Sequence, residues 1–129
     1  MEFSVLSNNL KMPMMGFGVF QVTDKNVCKQ SVLNAIRTGY RLIDTAAVYG
    51  NEDAVGEAVR EAIPEGLCTR EELFITSKLW VQDMLNQDTA AAGIEASLKK
   101  IGTRILRPLF IASGYARLFQ CVACTRRCL

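Results

Sequence analysis

The sequence predicts an α/β fold in which short parallel strands alternate with helices. Apolar residues recur at helical spacing in three segments, and short apolar runs lie between those segments. Strands that alternate with helices in this way form a parallel sheet through right-handed connections. The 129 residues can form one domain with its own core. Because a closed barrel of eight such units needs about 250 residues, we expect fewer than half of those units here.

The amino-terminal segment predicts a β-hairpin. Phe3 and Val5 alternate with polar neighbours, residues 7–9 (Ser-Asn-Asn) are typical of a turn, and residues 10–12 return along the first strand. The next apolar segment, residues 16–20, predicts a short buried strand that leads into a loop. Its two glycines permit close approach of the backbone to another group.

The first helix is predicted from Asp24 to about Thr38. Asp24 can cap its amino terminus, and Gly39 can end it in a left-handed conformation. Its apolar face comprises Cys28, Val32, Ala35 and Ile36. Residues 40–44 then predict a strand.

A second helix is predicted over residues 52–62 and a third over residues 88–101, with a strand at residues 73–78 between them. Pro64 follows the second helix, and Gly102 ends the third. The apolar faces of the two helices comprise Val55, Ala58, Val59 and Ala62, and then Ala91, Ile94, Leu98 and Ile101. The chain thus predicts a hairpin followed by about three βα units.

Composition excludes several classes of protein. Fifteen Lys and Arg residues nearly balance 13 Asp and Glu residues, which argues against a dedicated nucleic-acid-binding protein. Apolar residues make up 50% of the chain, which excludes a disordered protein. No apolar run approaches the roughly 18 residues of a membrane span, and the amino terminus lacks a signal-peptide pattern. We expect a cytoplasmic protein that binds neither nucleic acid nor membrane, and the sequence indicates no specific protein partner.

The charge pattern changes near Gly102. All 13 acidic residues precede this position. Residues 103–129 contain five arginines but no lysine, and they include three of the 5 cysteines of the chain. We therefore divide the chain into residues 1–102 and a tail of different composition, residues 103–129.

Polar side chains follow the second and third strands of the predicted parallel sheet. Asp44 ends one strand, Tyr49 lies in the loop after it, and Lys78 ends the next strand. Because the carboxyl ends of such strands share one rim, the three side chains are expected to converge. A nearby ammonium stabilises a phenolate and so makes a tyrosine a stronger proton donor. The alternative is structural: Asp44 caps a turn, Tyr49 packs, and Lys78 is solvated.

Several motifs, in order from about Phe3 to Gly102, resemble the aldo-keto reductase superfamily, in particular the bacterial diketogluconate-reductase-like kind. They are GFGVF at residues 16–20, GYRLIDTA at 39–46, YGNE at 49–52, ELFITSKLW at 72–80 and SLKK at 97–100. The resemblance implies a (β/α)₈ TIM barrel, of which this chain provides the hairpin and about three βα units. It implies NADP(H) as cofactor, although no Rossmann glycine motif occurs.

The resemblance also implies roles for individual residues. Tyr49 would donate a proton to an aldehyde or ketone that receives a hydride, Lys78 would strengthen Tyr49 as an acid, and Asp44 would support Lys78. The cofactor would meet Gly18, Val19 and Phe20, with Asp44 near its ribose and nicotinamide. Val48 and Trp80 would wall the pocket of a small carbonyl substrate, although Trp80 also suits ordinary packing. No metal is implied.

The chain departs from the family in one residue that matters for catalysis. Aldo-keto reductases have a His at the end of the fourth strand, and this chain contains no His. The second half of the barrel is also missing, so we expect the truncated chain alone to be inactive. A non-catalytic cofactor-binding or interaction module is the alternative. We further expect the inner faces of the strands, including Phe17, Leu42 and Ile75, to lose the cover of the opposite barrel wall.

Three interpretations of the tail are open. Cys121, Cys124 and Cys128 offer three thiolates to zinc, whereas a structural zinc site prefers four ligands. The arginines suit nucleic acid, but no aromatic interleaving accompanies them. The codons for residues 105–115, read one base later, can contain the run Tyr-Tyr-Asp-Leu-Phe-Leu-Leu-His-Gln, which resembles the fourth strand of the family with its His. The third interpretation predicts that residues 103–129 are a frameshifted, non-native tail.

Overall fold

A computed structural model of the chain describes residues 2–102, which form a hairpin, a three-stranded parallel sheet and three helices. The hairpin pairs its two strands in antiparallel register, with Phe3 opposite Pro13. The elements in chain order are β1 (Phe3–Val5), β2 (Lys11–Pro13), β3 (Gly16–Gly18), α1 (Lys25–Arg37), β4 (Leu42–Asp44), α2 (Glu52–Ala62), β5 (Phe74–Thr76) and α3 (Gln87–Ile101). The predicted hairpin and three βα units are therefore confirmed, and the sheet does not close into a barrel within the described residues.

The parallel sheet has the strand order β3-β4-β5. Phe17 pairs with Ile43, and Ile43 pairs with Ile75, so these three side chains share one face. Ile43 and Ile75 are fully buried on that face. Leu42, one residue earlier, must point to the other face. The prediction that Phe17, Leu42 and Ile75 together line an uncovered inner face is therefore wrong, because a strand alternates its side chains between faces.

The helix ends follow the capping signals in the sequence. Asp24 caps α1 by accepting a hydrogen bond from the amide of Val27 over 3.0 Å. Helix α3 begins one residue before the predicted start, because Asn86 and Thr89 form a reciprocal capping box. Gly102, at φ +73°, ends α3 in the left-handed conformation that the sequence predicts.

One core lies between the helices and the sheet. It contains the predicted apolar faces of α1 and α2 together with Ile94 and Ile101 of α3. Helices α2 and α3 approach closely at Gly56, where an added Cβ would lie 2.4 Å from the carbonyl oxygen of Ile101. The same carbonyl accepts a hydrogen bond from Arg60 over 3.2 Å. The carboxyl end of α3 is thus fixed against α2.

Two short turns of 3₁₀ helix, Ala47–Tyr49 and Val81–Met84, were not predicted. Each follows a strand and is too short for its periodicity to be recognised in sequence. None of the helices within residues 2–102 combines the length and apolar character needed to cross a bilayer. The zinc, nucleic-acid and frameshift interpretations concern residues 103–129, which lie outside the described residues.

Candidate active site

The segments that follow β3, β4 and β5 lie side by side at the carboxyl edge of the sheet. Backbone hydrogen bonds continue between them: the amide of Val19 donates to the carbonyl of Asp44 over 3.1 Å, and that of Thr45 donates to Thr76 over 2.9 Å. The amide of Ala47 donates to the carbonyl of Lys78 over 3.0 Å. These bonds hold three segments that contain the sequence-predicted site residues at one rim.

An ion pair at this rim joins β4 to the segment after β5. Nζ of Lys78 lies 2.5 Å from Oδ2 of Asp44 and donates a second hydrogen bond to the carbonyl of Thr45 over 3.1 Å. The hydroxyl of Thr76 donates to Oδ1 of Asp44 over 2.6 Å. These contacts fix the position of the Lys78 ammonium. The side chain of Lys78 remains 23% exposed, so the ammonium is still accessible from the rim.

Tyr49 lies next to this ion pair, at the end of the Ala47–Tyr49 turn. The Nζ atom of Lys78 is 5.4 Å from the centroid of the Tyr49 ring. The ring of Phe20 is 5.1 Å from that of Tyr49, centroid to centroid, at an interplanar angle of 54°. The structure therefore brings Asp44, Tyr49 and Lys78 together.

The segment after β3 presents its three predicted cofactor residues differently. Gly18 is exposed, and a Cβ built on it would meet nothing within 4 Å. Phe20 is 64% exposed at the rim. The side chain of Val19 is fully buried in the core, and its amide and carbonyl are both hydrogen-bonded within the protein. Gly18 and Phe20 can thus face a ligand, whereas Val19 anchors the segment from behind.

The two predicted substrate-pocket residues are both exposed large apolar side chains. Val48 lies in the turn that ends at Tyr49 and is 54% exposed. Trp80 lies two residues after Lys78 and is 48% exposed. The rim therefore combines apolar surface with one tyrosine and one ion pair. Residues 2–102 contain no group of three His, Cys, Asp or Glu side chains that could hold a metal ion.

Sequence reasoning missed the polar residues that support the rim from below. Thr76, a buried strand residue, donates to Asp44. Thr45, Asn51, Glu52 and Ser77 are also buried, each with no more than 1% of its surface exposed. The available signal was the run of polar residues directly after the apolar residues of β4 and β5, which a simple amphipathic pattern would assign to the solvent.

Comparisons with known proteins agree on one family. The sequence model of the aldo/keto reductase family matches residues 14–112. The chain is 50% identical over 99 residues to the uncharacterised oxidoreductase YtbE of Bacillus subtilis, which covers 77% of this chain and 35% of that protein. It is 42% identical over 106 residues to the NADPH-dependent aldose reductase of Saccharomyces cerevisiae, covering 82% of this chain and 32% of that enzyme.

A solved structure gives the same result for the fold. The chain superposes on the Bombyx mori aldo-keto reductase in complex with NADP with a TM-score of 0.79 and 37% sequence identity, over 85% of this chain and 37% of that one. The chain thus spans about a third of the length of the relatives that it matches. The family match covers well over half of the chain, and we conclude that this protein belongs to the aldo/keto reductase family.

Proposed function

We propose that residues 2–102 form the proton-donating part of a carbonyl reductase site, and that the reaction is NADP(H)-dependent reduction of an aldehyde or ketone to an alcohol. One observation supports this most directly: the ammonium of Lys78, held by Asp44, lies 5.4 Å from the centroid of the Tyr49 ring. The relatives named as an NADPH-dependent aldose reductase and as a complex with NADP support the choice of cofactor.

The rim beside Asp44 fits a nicotinamide cofactor. Gly18 pairs with Asp44 in the sheet, and the space where a side chain would lie at Gly18 is open. A flat ring and its ribose can therefore approach the backbone here more closely than a Cβ would allow. Gly18, Phe20 and Asp44 would hold this part of the cofactor, and Val19 would keep their segment in place. When bound, NADPH supplies the hydride.

Tyr49 donates its phenolic proton to the carbonyl oxygen as the carbonyl carbon accepts the hydride. One aldehyde or ketone, one hydride and one proton together give one alcohol. The donation leaves a phenolate, which the positive charge of Lys78 stabilises. Asp44 holds the Lys78 side chain in its orientation through their contact of 2.5 Å. Solvent then returns a proton to Tyr49.

Val48 directly precedes Tyr49 in the sequence, and Trp80 lies two residues after Lys78. We propose that these two apolar side chains bind a small carbonyl substrate. Both expose about half of their surface at the rim. Ligand sites combine such apolar walls with a few polar groups that fix the orientation of the bound molecule. Relatives named as D-xylose reductases and as a glyoxal reductase indicate small carbonyl compounds as the substrate class.

We propose that the 129-residue chain by itself does not turn over substrate. It contains no His, and the family resemblance implies a catalytic His at the end of the fourth strand. The intact rim together with the missing His favours a second candidate function for the chain alone, a non-catalytic module that binds the cofactor or a partner. Activity would then belong to a complete barrel that contains residues 1–102.

NADPH titration and a turnover assay separate these functions. Trp80 is the only tryptophan of the chain, so quenching of its fluorescence by NADPH reports binding at the rim. If the chain binds NADPH and oxidises it with a small aldehyde, it is an enzyme. If it binds NADPH without turnover, it is a binding module. If it shows no binding and no turnover, it is an inactive fragment. We expect binding without turnover.

A test of the catalytic roles of the rim residues requires a complete barrel. Such a barrel can be made by joining residues 1–102 to the part of the Bacillus subtilis oxidoreductase that follows its matched segment. In this chimera Tyr49→Phe should abolish carbonyl reduction and leave NADPH affinity nearly unchanged, because the phenol acts only in the chemical step. Lys78→Met should strongly reduce turnover, and Asp44→Asn should do so less. Tyr40→Phe, at a tyrosine that packs against Phe17, is the matched control. Unchanged turnover in Tyr49→Phe would remove that residue from its role.

We also propose that the native barrel segment ends near residue 102 and that residues 103–129 are a frameshifted tail. The loss of acidic residues after this position supports the boundary. Sequencing the gene across the codons for residues 100–129 tests it directly. An unshifted frame confirmed in independent isolates would contradict the proposal.

A further inference from the structure

Asn51 lies behind the rim, one residue before α2, and contacts the segments that leave two strands. Its Nδ2 donates to the carbonyls of Val19 and Val22, both over 3.0 Å, in the segment after β3. Its Oδ1 accepts a hydrogen bond from the hydroxyl of Thr45, directly after β4, over 2.8 Å. Asn51 is 1% exposed. One buried amide thus uses both its donor and its acceptor groups to join the exits of β3 and β4.

Glu52, the next residue, makes the corresponding contact with the third strand. Its Oε1 accepts a hydrogen bond from the hydroxyl of Ser77, directly after β5, over 2.5 Å. Glu52 and Ser77 are both buried, at 1% and 0% exposure. We call Asn51 and Glu52 the hub, because two consecutive residues bind the exits of all three parallel strands.

Burial of the Glu52 carboxylate is costly, because a charged group loses its hydration in the interior. Its position in the first turn of α2 offsets part of this cost through the helix dipole. The second oxygen, Oε2, accepts no hydrogen bond from the described residues, and Nζ of Lys100 lies 3.8 Å from it. A hydrophobic residue of similar shape would avoid this cost, so the carboxylate serves some purpose other than packing.

The position of each contact along the chain indicates that purpose. Val19 directly precedes Phe20, Thr45 directly follows Asp44, and Ser77 directly precedes Lys78. Every strand exit that the hub binds therefore lies one residue from a side chain of the rim. A displacement of Ser77 would move Lys78 relative to both Asp44 and Tyr49.

We propose that Asn51 and Glu52 are positioning residues that hold the three strand exits together and so set the spacing between Phe20, Asp44 and Lys78. This inference rests on the proposed function, which gives the reason why that spacing matters. The hub itself does not touch the substrate side of the rim, since its side chains are buried beneath it. It acts through the neighbouring residues, with Ser77 as the link to Lys78.

The position of Lys78 can be measured in the 129-residue chain without any turnover. Reductive methylation labels lysine amines, and mass spectrometry gives the rate at Lys78 relative to exposed Lys99. In Ser77→Ala we expect this relative rate to rise about tenfold, the equivalent of about 1.4 kcal/mol, because a hydrogen bond to a carboxylate has been lost. Ser97→Ala removes an equally buried serine from α3 and should leave the rate unchanged. Equal rates in the two variants would overturn the proposal.

Two further variants separate positioning from general support of the fold. Glu52→Gln keeps an oxygen that accepts from Ser77, so Lys78 should retain its wild-type labelling rate, whereas Glu52→Ala should reproduce the rise seen in Ser77→Ala. The emission of Trp80, three residues after Ser77, should shift in Glu52→Ala and return in Glu52→Gln. If Glu52→Gln labels as fast as Glu52→Ala, the hydrogen bond does not position Lys78.

The same variants distinguish failure of this inference from failure of the proposed function. Absence of NADPH quenching in the wild-type chain would count against the proposed cofactor, and the labelling rates would still test the hub.

If Ser77→Ala does not fold, hydrogen exchange in Thr45→Val provides the test, because this nearly isosteric variant removes the contact between Thr45 and Asn51. The amide of residue 45 should then exchange faster in the variant than in the wild-type chain, and unchanged exchange would overturn the inference.

Discussion

Two layers of the molecule meet at the carboxyl end of β4 and are held together by different forces. Ile43 is fully buried in an aliphatic cluster between the sheet and the helices. Thr45, two residues later, is equally buried but lies in a polar layer, where its hydroxyl donates to Asn51. Apolar burial has no required direction, whereas every buried polar atom needs a partner at a defined distance.

This difference divides the molecule into a part that stabilises and a part that positions. The apolar layer can exchange one aliphatic residue for another of similar volume at little cost. The polar layer includes the hub and lies directly under the rim, so we expect a lost hydrogen bond there to displace Asp44 or Lys78. We therefore expect changes in the first layer to lower stability most, and changes in the second to alter the rim at smaller cost in stability.

The largest loss of stability is expected for Ile43→Ala. The substitution leaves a cavity in the middle of the apolar layer, and large-to-small changes of this kind cost about 2–5 kcal/mol of unfolding free energy. Urea denaturation of the 129-residue chain, followed by circular dichroism, measures it. Val27→Ala, at a 54% exposed position of α1, is the control and should change the free energy by less than about 0.5 kcal/mol. Similar losses in both variants would contradict the assignment of the core.

Asn51→Ala should cost less stability and disturb the rim more. The change removes the hydrogen bonds that Asn51 donates to the Val19 and Val22 carbonyls, and it leaves the Thr45 hydroxyl without its acceptor. An unsatisfied buried group costs about 1–3 kcal/mol. Urea denaturation gives the loss, and the NADPH quenching of Trp80 gives the effect on the rim. Asn34→Ala, on an exposed part of α1, is the control. If Asn51→Ala lowers stability while NADPH quenching stays at the wild-type level, the separation of the two layers fails.

Gly56→Ala tests the apolar layer where α2 and α3 approach each other closely. Alanine favours a helix over glycine by about 1 kcal/mol, yet the new Cβ would lie 2.4 Å from the Ile101 carbonyl oxygen, a backbone atom that cannot rotate away. We expect a net loss of about 1 kcal/mol or more. At Gly93, also inside a helix, the nearest atom is the flexible side-chain end of Leu79 at 2.8 Å, so Gly93→Ala should be less harmful. Urea midpoints in the opposite order would show that α2 and α3 do not meet as described.

The apolar layer was predictable from the sequence, and the polar layer was not. Helix α2 has the bounds that periodicity predicts, and the capping residue Asp24 and the terminating Gly102 act as expected. These signals depend on residues three or four positions apart. The contact of Asn51 with Val19 spans 32 residues of sequence, and no local pattern specifies it.

The rim itself was predictable for a different reason. The rule that parallel strands end at one edge brings Asp44 and Lys78 to the same place, and they do form an ion pair. The rule says nothing about which way a side chain points, so it did not show that Val19 faces the core. The error at Leu42 has the same origin: the register that puts it on the other face from Ile75 depends on pairing between strands.

The smallest effect is expected outside both layers, at the exposed ion pair between Lys25 of α1 and Asp53 of α2. The hydrogen bond that Lys25 donates to Asp53 holds the pKa of the Asp53 carboxyl below its ordinary value. The same contact raises the pKa of Lys25. A carboxyl with a lowered pKa in the folded state stabilises the fold above its unfolded pKa, about 3.9, and this contribution is lost as the pH falls through the folded pKa. Asp53→Asn should therefore flatten the acid limb of the stability profile.

The measurement is a set of urea midpoints between about pH 2 and pH 6, taken at low and at high salt. Solvent screens this pair, because the side chains of Lys25 and Asp53 are 60% and 40% exposed. The effect of Asp53→Asn should thus be smaller than that of Gly56→Ala and should shrink as salt is added. Lys25→Met should produce a smaller flattening, because the amide of Ala54 still donates to Asp53. The double variant should match Asp53→Asn, since that change alone removes the carboxyl. A loss as large as that of Ile43→Ala would mean that the contact between α1 and α2 depends on this ion pair more than on apolar packing, and would reverse the order of forces that the two layers imply.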